Sequence, residues 1–226
     1  MAKILSGVRP AIGKVVDPVA RGLLRVGVTP DAVTVAGTVG VLVASVLAAF
    51  DHILVAVILA TISALTDILD GAMARARGTS SRFGAFLDSS LDRVADGAIF
   101  ASLAWWAAKD GAWHAVFASL VVLVASQVTS YVRAKAESLG LTASVGIVER
   151  PERLLGIGVG GFSAGFGWDT GMYIVLWTLA ILSVVTVAQR FVTVYRQTRE
   201  PVATPVAPTA GEPSAGPAVG ERPVDG

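Results

Sequence analysis

Six stretches of this sequence contain no Asp, Glu, Lys or Arg over lengths close to the thickness of a bilayer: residues 32–50, 52–66, 97–108, 111–132, 154–168 and 170–189. A spanning helix needs about 20 mostly apolar residues, and in lipid every backbone polar group must be satisfied within the segment, which leaves helices or closed barrels. The first, fourth and sixth stretches reach that length unaided. The second and fifth reach it when extended by a helical turn at their charged ends. The third, 97–108, becomes a span only if its helix begins near Arg82 and carries several aspartates into the membrane. With 54% hydrophobic residues and a mean hydropathy of +0.68, the chain is too apolar for an ordinary soluble domain. The expected fold is an all-α integral membrane protein with six transmembrane helices, preceded by an amphipathic surface helix.

The two ends differ from this pattern. Residues 1–28 interleave Lys3, Arg9, Lys14, Arg21 and Arg25 with aliphatic residues, as one or two helices lying on the membrane would, interrupted at Pro10 and Pro18. Residues 198–226, rich in Pro, Ala and Gly without periodicity, read as a disordered cytoplasmic tail. The body between them is 29–197. With the N-terminus in the cytoplasm, six crossings bring Arg75, Arg77, Arg82, Arg93, Arg133, Lys135, Arg150, Arg153, Arg190, Arg196 and Arg199 to the inner side and leave Lys109 outside. That asymmetry fixes the orientation of a multi-pass protein of the cell membrane with both termini cytoplasmic. Trp105, Trp106 and Trp113 then fall at the outer boundary, as an aromatic belt.

Against this background four carboxylates stand out in "DILDGAMARARGTSSRFGAFLDSSLD": Asp67, Asp70, Asp88 and Asp92. Charges in membrane helices are rare and functional. Spacings of three and four place each pair on one helix face, roughly 4.5–6 Å apart along the axis. Two such helices packed face to face would gather all four at the cytoplasmic surface. Oxygen ligands suit hard divalent cations such as Mg²⁺ or Mn²⁺. The chain has no cysteine, and His52 and His114 fall on the opposite side, so zinc is not expected. Gly71, Ala74 and Gly84 share the carboxylate faces and leave room for a ligand. Asp96 continues the series at i+4, where pairing with an arginine is the simpler role. The glycines of "GIGVGG" (156–161) read as a close-packing face, within one protomer or between two.

The spacing Asp67-x-x-Asp70-Gly71-x-x-Ala74-Arg75, eight residues, Gly84-x-x-x-Asp88-x-x-x-Asp92 resembles the signature of the CDP-alcohol phosphotransferase family at all eight fixed positions. The resemblance covers about residues 1–197. It implies transfer of a phosphatidyl group from CDP-diacylglycerol to an alcohol, with release of CMP. It also implies Asp67, Asp70, Asp88 and Asp92 as ligands of Mg²⁺ or Mn²⁺, with two ions expected, and Asp92 as general base. By the same resemblance Asp31, Ala32, Val33 and Thr34 in "TPDAVT", with Gly71, Ala74, Arg75 and Ser81, contact CDP-diacylglycerol. Thr29-Pro30-Asp31 is at the same time a helix start. A homodimer is expected, and no nucleic-acid partner.

The acceptor is read from the basic residues. Arg133 and Lys135 end the fourth apolar stretch, Arg150 and Arg153 open the fifth and Arg190 ends the sixth, all at one aqueous mouth, where they suit a phosphate. The acceptor is therefore expected to be a phosphorylated polyol. The segments "PVARGLLRVGVTPD", "SRFGAFLDSSLDR" and "IVERPERL" look most like the family's actinobacterial phosphatidylinositol phosphate synthases, which use 1D-myo-inositol 3-phosphate (L-myo-inositol 1-phosphate). That resemblance implies Lys135, Arg153, Arg190 and Arg133 as acceptor-phosphate ligands. Glycerol 3-phosphate, giving phosphatidylglycerol phosphate, is the alternative acceptor. A cation or proton transporter would explain the aspartates, but neither the fixed small residues nor the one-sided basic cluster.

Overall fold

A computed structural model describes residues 16–77 and 81–199, and in this region the chain is all helix and connecting loop. The elements are α1 (residues 16–25), α2 (Pro30–Ala49), α3 (Ile53–Arg77), α4 (Arg82–Lys109), α5 (Trp113–Ser138), α6 (Arg150–Gly165) and α7 (Asp169–Arg199). Four of them, α2, α3, α5 and α7, are long and apolar enough to cross a membrane. The charges that keep α4 out of that group are those of the aspartate series, and α6 is short. As expected from the sequence, α4 begins at Arg82 and α3 runs past its apolar stretch to Arg77, so each aspartate pair is carried on a continuous helix.

Local chemistry sets the helix starts. Thr29 caps α2 by accepting from the Ala32 N–H at 3.2 Å, and Pro30 occupies the first turn. Ser81 caps α4 by accepting from the Gly84 N–H at 2.7 Å. Pro18 does not interrupt the first helix. It lies near the start of the described α1, a position compatible with the missing N–H. The rest of the amphipathic segment, residues 1–15, lies outside the described residues, as does nearly all of the expected tail. At the other end α7 continues helically through Arg199, whose guanidinium lies 4.5 Å from the Tyr195 ring centroid.

Lipid tails are as apolar as leucine, so close approach of small residues and van der Waals contact hold such a bundle together. Gly37 and Gly40 bring α2 so near α3 that any side chain there would overlap Thr66 or Ser63. Three glycines of α6 pack inside the protomer: Gly161 lies against Val57, Gly165 against Leu54, and Gly160 against Met172 and Val175. Phe100, Val122 and Leu176 are fully buried in the core these contacts create. Hydroxyls within the helices bond back to carbonyls, as Ser45 does to Val41 at 2.9 Å. Ala20 of α1 is buried with Val33 and Met73, docking α1 on the N-terminal end of α2 and the C-terminal end of α3.

At the opposite end of the bundle Lys109 pairs with Asp51, and Trp177 donates to His114. Trp105 and Trp113 are exposed there as an interfacial belt requires, but Trp106 is 4% exposed and packs on Tyr173 with ring centroids 5.6 Å apart. Successive helical residues point about 100° apart, which follows from 3.6 residues per turn, and here that turns Trp106 into the bundle while Trp105 stays outside.

Candidate active site

The two aspartate helices do not pack face to face. α2 packs along both α3 and α4, whereas α3 and α4 make no extensive contact with each other. Like charges facing one another disfavour direct packing, and the result is a cleft, with α6 entering from the side opposite α2. Each carboxylate has its own environment. Asp70 is buried and accepts from Thr34 Oγ1 at 2.6 Å. Asp67 Oδ2 and Asp92 Oδ1, from different helices, converge on one nitrogen, Arg150 Nη1, at 2.6 and 2.9 Å. Arg93 Nη2 lies 3.7 Å from Asp92. Asp88 has no ion-pair or hydrogen-bond partner among the described residues. Asp96 is fully enclosed and pairs with Arg153 at 2.8 Å, as its place one turn beyond Asp92 suggested.

The residues fit a hard divalent cation. Two oxygens from separate helices already focus on a single centre of positive charge, with Asp70 and Asp88 one turn away on the same helices. As they stand, no three acidic or histidine side chains among the described residues are gathered closely enough to hold an ion.

The residues expected to meet the nucleotide lie beside the carboxylates. Gly84 is where α2 and α4 come closest at this end: a β-carbon there would lie 2.9 Å from both Asp31 Oδ1 and Ser81 Oγ. Ala32 is exposed, while Val33 and Thr34 are buried, Thr34 through its bond to Asp70. Arg75 folds back so that its Nη1 would lie 3.4 Å from a β-carbon on Gly71, and Ala74 is half-buried next to it.

The basic residues divide. Arg133 is exposed and bonds Glu137 at 2.9 Å, and Lys135 is exposed nearby. Arg153 and Arg190 are 3% exposed. Arg190 donates to the Val145 carbonyl at 2.8 Å, the Thr129 carbonyl at 2.9 Å and Glu149 at 3.1 Å. It is one of three side chains on α7 that tie down the connection between α5 and α6. Thr186 Oγ1 accepts from the Ile147 and Val148 N–H groups at 3.2 and 3.1 Å, and Gln197 brackets the Thr142 backbone at 2.9 and 2.6 Å. Gly146 touches Thr186 so closely that no side chain would fit. This strap ends at Glu149, whose N–H is accepted by Glu152 at 3.0 Å, and so delivers Arg150 to the aspartates.

An apolar groove of about 430 Å³ opens beside the site, bounded by α2, α3, α4, α6 and α7. Ala60, Ala64, Ile99 and Leu154 line both this groove and a small cavity that ends on Asp67 and Arg150. The apolar groove thus lies next to the cavity that Asp67 and Arg150 line.

The sequence matches the CDP-alcohol phosphatidyltransferase profile over residues 27–195. The chain belongs to that family. Its relatives include the phosphatidylinositol phosphate synthase of Mycobacteroides abscessus, 48% identical over 193 residues that cover 84% of this chain and 87% of the relative. Among solved structures, the Mycobacterium tuberculosis phosphatidylinositol phosphate synthase with CDP-DAG bound superposes with a TM-score of 0.75 at 43% identity, covering 80% of this chain and 94% of that one. The same enzyme in complex with manganese and citrate gives a TM-score of 0.72 at 43% identity, over 80% of this chain and 88% of that one. The family's carboxylate signature thus lies, in this chain, around a cleft shared by α2, α3, α4 and α6.

Proposed function

We propose that the protein transfers the phosphatidyl group of CDP-diacylglycerol to 1D-myo-inositol 3-phosphate (L-myo-inositol 1-phosphate), giving phosphatidylinositol phosphate and CMP. The observation that carries this reading is the convergence of Asp67 and Asp92 on one cationic centre beside an apolar groove, in a chain of this family. The acceptor is supported by relatives that are phosphatidylinositol phosphate synthases. In this reading α2 to α7 all cross the cell membrane, with residues 1–28 on its inner surface, 29–197 as the catalytic domain and 198–226 as a cytoplasmic tail. Both termini and the site face the cytoplasm, and the protein works as a homodimer.

Asp67, Asp70, Asp88 and Asp92 are the proposed holders of two Mg²⁺ ions, with Mn²⁺ a substitute, which would neutralise charge on the pyrophosphate and the departing CMP. Asp92 accepts the proton of the attacking hydroxyl. The new P–O bond forms at the β-phosphorus as the bond to CMP breaks. Asp31, Ala32, Val33, Thr34, Gly71, Ala74, Arg75 and Ser81 line the nucleotide side. Lys135, Arg153, Arg190 and Arg133 receive the acceptor's phosphate. An arginine has five N–H donors, and Arg190 spends three on loop and helix partners, which leaves one N–H on each terminal nitrogen for the phosphate.

The reading is tested with purified protein, CDP-diacylglycerol and Mg²⁺, following CMP release with the inositol phosphate, glycerol 3-phosphate, inositol and serine in parallel. CMP is expected with the inositol phosphate alone. Release driven by glycerol 3-phosphate would replace the acceptor and keep the chemistry, and no release with any acceptor would reopen the transporter alternative.

The groove gives a second expectation. Gly158 lines it, and a β-carbon there meets no atom within 4 Å. Gly158→Leu can therefore start its side chain into the groove without a clash at the β-carbon, and the melting temperature of the variant checks that the bundle is kept. If an acyl chain lies in the groove, the KM for CDP-diacylglycerol rises about ten-fold while kcat and the acceptor KM hold, the pattern of lost uniform binding. An unchanged lipid KM would place the chain elsewhere.

A further inference from the structure

We propose that Arg150 is an internal counter-cation of the carboxylate cluster that yields its place to a divalent ion, and so sets how tightly the site binds metal. The inference rests on the reading of the aspartates as metal ligands. Nη1 of Arg150 lies 2.6 Å from Asp67 Oδ2 and 2.9 Å from Asp92 Oδ1, and Nε lies 3.6 Å from Asp96 Oδ1. One guanidinium thus ties together two helices that otherwise make little contact. Mg²⁺ takes its oxygens at about 2.0–2.1 Å. Two oxygens bracketing a nitrogen at these distances leave no room for both cations between them. At roughly 4 Å, unit charges in a protein already interact by several kcal/mol, and a divalent ion doubles the repulsion.

The other two carboxylates are not gathered around a common centre. Asp70 is committed to Thr34 at 2.6 Å, and no three potential ligands are gathered among the described residues. Arg150 is also the arginine here that is free to withdraw. Its side chain is 22% exposed, against 4% for Arg153, and it projects from the first residue of α6. Its Nε is buried without a hydrogen-bond partner, and Asp96 lies close enough to receive it after a small retreat. Arg153, locked on Asp96, keeps α6 attached to α4 while Arg150 moves.

The test measures Mn²⁺ binding to the full-length protein in lipid nanodiscs without substrates, by the EPR signal of free Mn²⁺. Arg150→Gln and Arg150→Lys are compared with the native chain. An internal competitor predicts that Mn²⁺ binds Arg150→Gln about ten-fold more tightly, since a neighbouring unit charge is removed, with Arg150→Lys between it and the native protein. A purely architectural arginine predicts the reverse, because loosened carboxylates bind metal less well. Unchanged or weakened affinity in the variants overturns the exchange. Should Arg150→Gln fail to fold, Arg150→Lys decides alone, by binding more tightly than native or not. A native protein that binds no Mn²⁺ sinks the metal assignment and the exchange with it.

Discussion

Asp92→Asn is expected to abolish CMP release while leaving the protein folded. The substitution keeps the shape of the side chain and removes both its charge and its capacity to accept a proton. A positioned general base contributes about 10²–10⁴-fold, and the lost charge at the proposed metal position adds to that. The bundle tolerates the change because the Asp92 side chain is 18% exposed rather than sealed in the core. Arg150 also keeps Asp67 and Asp96 as neighbours. The checks are steady-state CMP release and the melting temperature of the purified variant. Activity within ten-fold of native would remove Asp92 from the proton transfer.

Arg153→Met carries the second large effect, and here the loss is in stability. Arg153 and Asp96 have side-chain exposures of 4% and 2% and meet at 2.8 Å between α6 and α4. Removing Arg153 leaves the buried Asp96 with only the 3.6 Å approach of Arg150 Nε, and breaking a buried pair in this way costs up to about 3–5 kcal/mol. The double variant Asp96→Asn/Arg153→Met removes both charges and is expected to recover most of that loss. Thermal unfolding of the two single variants and the double variant in one detergent measures the coupling. If Arg153 serves acceptor binding as well, the recovered double variant will fold yet show a raised acceptor KM. A stable Arg153→Met protein would mean that the pair does not hold α6 to α4.

The helices were legible because their signal is local. Uncharged stretches of bilayer length, Thr29-Pro30 at one start and an aspartate series that had to be helical marked α2 through α7 with starts close to those observed, while α3, α5 and α7 continue well beyond the ends of their uncharged stretches. The identity of the carboxylates was legible too, since Asp67-x-x-Asp70 and Asp88-x-x-x-Asp92 are spacings along one chain. What each carboxylate faces was not. Asp67 meets Arg150 across 83 positions, and Asp96 meets Arg153 across 57. Periodicity says which face a residue occupies but not which helix lies opposite. For that reason α3 and α4 were expected to touch, whereas α2 and α6 flank the cleft between them. Arg150 was grouped with basic residues awaiting phosphate. One signal did point to it: Arg150 and Arg153 are three apart at the start of a helix, just as the acidic residues they meet are one turn apart on theirs.

The strap between α5 and α6 makes α7 a remote control on the site. Thr186, Arg190 and Gln197 recur at intervals of four and seven, so one stripe of α7 grips the whole connection. The last residue of that connection caps the helix that Arg150 begins. A slight roll of α7 about its own axis would therefore reach the guanidinium through backbone that has almost no slack. Variation along this stripe, on a helix that contributes none of the carboxylates, would tune the active centre the way a tailpiece tunes a string.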